Sequence, residues 1–289
     1  MRRWLAAALG VVLLAGCASL PEGVDGDLID GWALPPPAVQ WRPLDGRCFD
    51  EQPDTVGPTT YAPFDCAQEH VAETYWVGDL TGPAAAPSST RDRALPVAYL
   101  ECSRRANDFA GGPWRASRLA ITAVLPDRPG WTGGARWFRC DINELDSEGK
   151  LFARSGSLSH ALAGASDLRL GCFNPTVSGP HVRTMAAVDC TRPHHAEFAG
   201  LWNAPPIAIT KLDTTPAFAR GCLSVIARYT GVPDDGMVKY RTGWLGFPGT
   251  EAAWDAGDRS VQCFLWLHDE TLVGSYRNAG PGKLKVHYA

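Results

Sequence analysis

Two pairs of side chains in this sequence are best placed to do chemistry: His70 with Glu73, and His194 with Glu197. An imidazole next to a carboxylate is the raw material of a zinc site, or of a general base with its orienting group. Each pair follows a cysteine by the same step, Cys66-x-x-x-His70-x-x-Glu73 and Cys190-x-x-x-His194-x-x-Glu197. One His and one Glu fall short of the three protein ligands of a catalytic zinc. A strand would also put residues three apart on opposite faces, so convergence needs a turn or bulge. The pairs read first as hydrogen-bonding anchors beside a cysteine. Ligand binding is the sharper alternative and a metal-assisted hydrolase the sharpest. No metal or cofactor is expected.

Other candidates are thinner. Ser147-x-x-Lys150 matches the nucleophile motif of penicillin-binding enzymes, but no Ser-Asp-Asn or Lys-Thr-Gly accompanies it, and chance explains it. Gly-x-Ser-x-Gly, His-Glu-x-x-His and a phosphate-binding glycine loop are all missing from the sequence. Trp131 and Trp254 have rings that stack on sugars, yet a tryptophan on a short helix before a strand reads as core. Arg136 and Arg259 suit anionic polymers, and more simply a structural salt bridge. The formal charge of −4 comes with no basic patch, so nucleic acid is not an expected partner.

The cysteines give more. There are nine, at 17, 48, 66, 102, 140, 172, 190, 222 and 263. The first belongs to an export signal: Arg2 and Arg3, then the apolar run Trp4 to Leu14, then small residues up to Cys17. That run is too short to span a bilayer. Leu14-Ala15-Gly16-Cys17 resembles the lipobox of bacterial lipoproteins. The resemblance implies a lipid with palmitate-type chains on Cys17 and an anchor on the outer face of the cell membrane. Removing Arg2 and Arg3 takes the formal charge from −4 to −6. An exported protein meets an oxidising compartment, so the eight other cysteines read as four disulfides.

Their gaps repeat: 18, 36 and 38 residues from Cys48 to Cys140, and 18, 32 and 41 from Cys172 to Cys263. The motifs repeat as well. Cys48-Phe49 answers Cys172-Phe173, and Asp65-Cys66-x-x-x-His70 answers Asp189-Cys190-x-x-x-His194. Trp131-x-x-Gly134-x-Arg136-x-x-x-Cys140 answers Trp254-x-x-Gly257-x-Arg259-x-x-x-Cys263, and Gly156-Ser157 answers Gly274-Ser275. The sequence reads as a tandem duplication. If each copy closes on itself in the same way, three pairing patterns remain. Loop lengths favour Cys48–Cys66, Cys102–Cys140, Cys172–Cys190 and Cys222–Cys263.

These motifs need elements to hold them. Thr215-Pro216 starts a helix whose apolar positions Phe218, Cys222, Val225, Ile226 and Tyr229 end at Gly231. Leu95, Tyr99, Cys102, Ala106 and Phe109 do the same before Gly111. Alternation predicts strands over Leu119–Leu125 and Val238–Trp244, ended by Pro126 and Pro248. Thr250 to Gly257 reads as a short capped helix, with its first-copy partner shortened by Pro129-Gly130. Arg259–Leu267, Ala196–Trp202 and Val71–Val77 read as strands. The fold class is α+β: two similar disulfide-stapled modules, each a small antiparallel sheet with helices on one face. The organisation is signal 1–16, Pro/Gly-rich tether 17–43, first module 44–165 and second module 166–289.

Together, Gly-x-Cys-Phe, Cys-x-x-x-His-x-x-Glu and Trp-x-x-Gly-x-Arg-x-x-x-Cys resemble the septum-formation domain of actinobacterial envelope proteins. Cys190 to Glu197 and Glu251 to Arg259 carry the resemblance best. In the first copy Glu69 stands where Pro193 does. The resemblance implies a place in cell division or envelope upkeep and no catalytic chemistry. The expectation is a non-enzymatic, lipid-anchored protein that binds a protein or cell-wall partner. A metal-assisted hydrolase and a passive spacer are the other readings.

Overall fold

Apolar runs beside the cysteines become the inner strands of two sheets. The computed structural model describes residues 40–179 and 181–287; the signal, Cys17 and the tether up to residue 39 lie outside them. The first sheet uses β1 (Arg47–Phe49), β2 (Thr55–Val56), β3 (Ala72–Asp79), β4 (Leu119–Pro126), β5 (Trp137–Leu145) and β6 (Leu151–Phe152). Its order is β1-β3-β5-β4-β2, with β6 beside β5, and only β2 and β4 run parallel. The second uses β7 (Cys172–Ser178), β8 (His181–Val188), β9 (Ala196–Asn203), β10 (Gly243–Pro248) and β11 (Ser260–Trp266). Its order is β10-β11-β9-β7-β8, all antiparallel. The protein is therefore α+β, as its patterning indicates.

Each sheet carries one long helix. α1 (Arg91–Ala110) buries Ala94, Ala98, Cys102 and Ala106 against Leu119, Ile121, Cys140 and Ile142. α3 (Pro216–Thr230) buries Phe218, Cys222 and Val225 against Val261 and Cys263. Both stop at a left-handed glycine, Gly111 at φ 72° and Gly231 at φ 74°, where a side chain would be strained. Thr215 stands at the N-cap of α3, but its hydroxyl turns back to the Leu212 carbonyl at 2.9 Å. The β4–β5 and β10–β11 connections hold two five-residue helices, α2 (Arg128–Thr132) and α4 (Glu251–Asp255). Pro129-Gly130 does not shorten the first relative to the second: Asp127 caps it through the Gly130 amide at 2.9 Å, and proline sits comfortably in a first turn. A last short helix, α5 (Gly280–Lys283), closes the described chain.

The bridges are Cys48–Cys66, Cys102–Cys140, Cys172–Cys190 and Cys222–Cys263. The first and third tie β1 and β7 to the turns that lead into β3 and β9. The second and fourth tie a long helix to an inner strand of its sheet, β5 or β11. On the chain-entropy model the short loops contribute about 3 kcal/mol each and the long ones about 4.

One strand expectation is corrected and one strand had no expectation. Val238 to Tyr240 form a 3-10 turn, and the strand begins only at Gly243. The alternation there is real but local: Val238 is pulled into the core beside Leu265 and Leu284, and the Thr242 amide closes on its carbonyl at 3.2 Å. Strand β8 was not predicted. Thr176, Val177, Val182 and Thr184 flank a Ser178-Gly179 turn, a hairpin signal in plain view.

The outer faces of the sheets differ. In the first, Arg139 and Asp141 are both fully buried and paired at 2.7 Å. Asp141 also accepts from Thr74 Oγ1 at 2.7 Å and Gln52 Nε2 at 3.1 Å, and the Arg139 guanidinium lies 4.2 Å over the Phe49 ring. In the second, Gln262 and Phe264 take the corresponding places on β11. Phe264 sits 5.4 to 5.5 Å from Phe173, Phe198 and Phe247.

Residues 41–289 form one compact unit. Ala253 in α4 and Ala256 at its C-terminus pack into the core under α1. Asp258, nearly buried, pairs with Arg115 and accepts from the Tyr99 hydroxyl at 3.2 Å. Gln262 Nε2 donates to the Arg115 carbonyl at 2.9 Å, and the Met185 amide donates to the Ser147 carbonyl at 2.7 Å. Burial pushes the Tyr99 hydroxyl pKa up and the Arg115 guanidinium pKa down.

Removing one partner of a buried pair strands the other charge. Asp141→Ala should cost about 3–5 kcal/mol in chemical denaturation. A loss below about 1 kcal/mol would show that Arg139 finds other partners.

Candidate functional site

The repeated spacing of cysteine, histidine and glutamate builds a similar small site in both sheets. It begins with an Asx turn. The carboxylates of Asp65 and Asp189 accept from the amides of Ala67 and Thr191, both at 2.8 Å, which bends the chain just past Cys66 and Cys190. The Thr191 amide and hydroxyl hold the Asp189 carboxyl below its usual range.

The bend delivers the histidines. His70 Nδ1 lies 2.8 Å from the Gln68 carbonyl, and His194 Nδ1 lies 2.8 Å from the Arg192 carbonyl. A carbonyl only accepts, so Nδ1 is the protonated nitrogen in both rings. The backbone of each histidine pairs with the chain leading to the Gly-Ser step, His70 with Arg154 and His194 with Leu272. Both histidines precede their strand and lie in the turn. That is how His194 and Glu197 come to face the same region despite their spacing.

The glutamates are latches. Glu73 is 3% exposed and Glu197 2%. Glu73 accepts Ser157 Oγ at 2.5 Å and the Leu158 amide at 2.6 Å. Glu197 accepts Ser275 Oγ at 2.5 Å, the Tyr229 hydroxyl at 2.6 Å and the Tyr276 amide at 2.8 Å. The preceding glycines are left-handed, Gly156 at φ 85° and Gly274 at φ 72°, so only glycine swings the serine in without strain. Three residues after the serine come His160 and Asn278, both at φ 56°. Their amides donate to Phe109 and Tyr229, in the last turns of α1 and α3, at 2.8 and 2.9 Å. Each carboxylate thus ties its strand to the Gly-Ser segment, and Glu197 also reaches Tyr229 at the end of α3.

Cys172 Sγ, an imidazole nitrogen of His194 and a Glu197 oxygen lie within 4.8 Å of one another, as do Cys48 Sγ, Cys66 Sγ and a Glu73 oxygen. These sulfurs are in disulfides and are not thiolate ligands. The glutamates already accept two and three protein hydrogen bonds. His70 Nε2 and His194 Nε2 are buried with no hydrogen-bond partner.

The Trp-x-x-Gly-x-Arg motifs are also structural. Arg136 lies 4.2 Å over the Trp131 ring and Arg259 4.8 Å over the Trp254 ring. Each arginine also donates to the carbonyl of its own tryptophan. The expected salt bridge is absent at both among the described residues, because the tryptophan's ring and carbonyl occupy the guanidinium. The indoles donate to Ser89 at 3.1 Å and Ile207 at 2.7 Å. Lys150 turns away to Glu148 in an exposed turn.

Sequence reading missed Tyr229 as a partner of Glu197 and expected a final strand at the Gly-Ser step, where the chain instead bends at a left-handed glycine to bring the serine to the glutamate. The recurrence of that step, at Gly156-Ser157 and Gly274-Ser275, was the available signal.

Two outcomes follow from the latch. Ser275→Ala should destabilise the fold by about 1.5–3 kcal/mol, the range for a hydrogen bond to a charged group, as read by denaturant titration. Burial and the bond to Glu197 push the Tyr229 pKa up to about 12. The folded chain then keeps a proton that the unfolded chain loses above about pH 10, so stability falls as pH rises from about 10 to 12. Tyr229→Phe should flatten that alkaline limb; an unchanged limb would place its origin elsewhere.

A family model described as septum formation matches residues 45–263 in one stretch, through both sheets. No curated protein and no solved structure matches the chain. With well over half its length matched, this chain belongs to the septum-formation family.

Proposed function

We propose that this chain is a non-enzymatic, lipid-anchored envelope protein that holds a protein or cell-wall partner during septum formation or envelope maintenance. The observation that carries the binding role is a cleft at the seam of the two sheets. It has a volume of about 330 Å³ and a floor of Leu119, Leu145, Phe173, Met185, Phe247 and Phe264. A second depression of about 200 Å³ continues it, sharing Leu119, Leu145 and Phe247. Arg118, Arg183, Asp146 and Glu148 stand around the opening, which gives an apolar floor with a charged rim.

The proposed modules, 44–165 and 166–289, are sister copies fused in tandem. The common strand order β1-β3-β5-β4 and β7-β9-β11-β10, the matching bridges and the two latches all support this reading. A non-catalytic role is supported by the latch chemistry, where each glutamate is engaged by protein donors and each cysteine by a disulfide. The anchor is proposed from the signal and Cys17. No described helix is long and apolar enough to cross a membrane.

Two measurements test the proposal in intact cells. Cys17→Ser should move the protein out of the membrane fraction, and retention there would remove the lipid anchor. A photo-crosslinking residue at Arg183, exposed beside the cleft, should capture a discrete envelope partner, whereas one at exposed Arg220 on α3 should not. Equal capture at both positions, or none at Arg183, would refute the cleft as the binding site.

A further inference from the structure

The four disulfides fall into two kinds. Cys102, Cys140, Cys222 and Cys263 are all 0% exposed, so the bridges from helix to sheet are sealed at both ends. Cys48 and Cys172 are also buried, but their partners Cys66 and Cys190 are partly open to solvent. A thiolate attacks one sulfur of a disulfide in line, and access to that sulfur governs the rate. Only the latch bridges have a half-cystine that reaches solvent.

Behind the open sulfur stands the unpartnered histidine. His194 Nε2 is buried and bonded to nothing, while Nδ1 is committed to the Arg192 carbonyl. With Nδ1 donating to a carbonyl, Nε2 is the ring nitrogen left without a partner, and an imidazole nitrogen stands within 4.8 Å of Cys172 Sγ. A buried acceptor without a donor is costly, and a disulfide has no hydrogen to give. His70 Nε2 is unpartnered in the same way.

We propose that Cys172–Cys190 and Cys48–Cys66 are exchangeable disulfides, opened by a dithiol through attack at Cys190 or Cys66. The dithiol's thiolate bonds to Cys190 Sγ, the Cys172–Cys190 bond breaks, and the electron pair leaves on Cys172. The proton given up by the attacking thiol ends on Cys172, whose S–H then has His194 Nε2 as its acceptor. The reductant's second thiol displaces Cys190. The protein gains two electrons and two protons as a pair of thiols, and the dithiol is oxidised to its own disulfide. The histidine acts as a positioning residue, supplying the bond that only the open form can make.

The test treats the folded full chain with graded dithiothreitol, quenches with iodoacetamide and maps alkylated peptides, while near-UV circular dichroism follows the fold. Cys66, Cys48, Cys190 and Cys172 should be alkylated at dithiol concentrations at least about tenfold below those that open the sealed bridges, with the dichroism retained. Glutathione should form its mixed disulfide on Cys190 and Cys66, not on Cys172 and Cys48. His194→Phe keeps the ring and removes the acceptor. It should raise the dithiol midpoint of the second-half bridge by about tenfold and leave the first-half bridge unmoved, an internal control against general loosening. Opening of all four bridges together with loss of the fold, or earlier alkylation of a sealed pair, would overturn the proposal. An unmoved midpoint in His194→Phe would overturn the histidine's part. If that variant does not fold, the order of opening in the wild-type chain still decides.

Discussion

A carboxylate taken out of water must be surrounded by donors, and in this protein that requirement shapes most of the local architecture. Glu73 and Glu197 are each almost wholly buried. Satisfying them takes a serine hydroxyl and the next amide, which takes a tight turn, which takes a glycine in the left-handed region. The turn in turn sets a left-handed residue, His160 or Asn278, whose amide closes the end of the long helix. Remove the carboxylate and the strand, the helix end and the last segment of each half lose their common point. The residues that looked most like catalysts are the ones that hold these parts together.

The sequence was most readable where the constraint was periodic or covalent. Cysteine spacing pointed to the bridges, and the apolar spacing around Cys102 and Cys222 located the helices. It was less readable where distant residues meet. Asp258 and Arg115 lie far apart in the chain, and neither sits in a motif that announces the other. Arg139 and Asp141 look like ordinary exposed alternation on a strand, yet both are buried because residues 49–64 fold over that face. Val238 and Tyr240 show that alternation over three or four residues fits a turn beside a core as well as a strand. Arg136 and Arg259 had the right neighbours in view, and stacking won because the tryptophan was closer than any acid.

The two outer faces solve one packing problem in different ways. Around Phe49 the first sheet uses directed bonds among Arg139, Asp141, Thr74 and Gln52, which tolerate little displacement. Around Phe173 the second uses rings packed mostly edge to face, which lose less when they shift. The aromatic face is the one that forms the floor of the cleft. The half with the directional network is thus suited to fixing geometry, and the half with the rings to accommodating a visitor.

The seam has a consequence for how the molecule comes apart. Asp258 is ringed by Arg115 and Tyr99, groups the chain laid down much earlier, and Ala253 and Ala256 are embedded under α1. A protease nick in the segment between the sheets, around residues 160–167, would cut the covalent thread and leave these contacts intact. Parting the fragments would require rehydrating a buried ion pair and exposing the apolar bed of a helix. The nicked chain should therefore migrate as a noncovalent heterodimer, with the sequence's two look-alike pieces behaving as a single physical body.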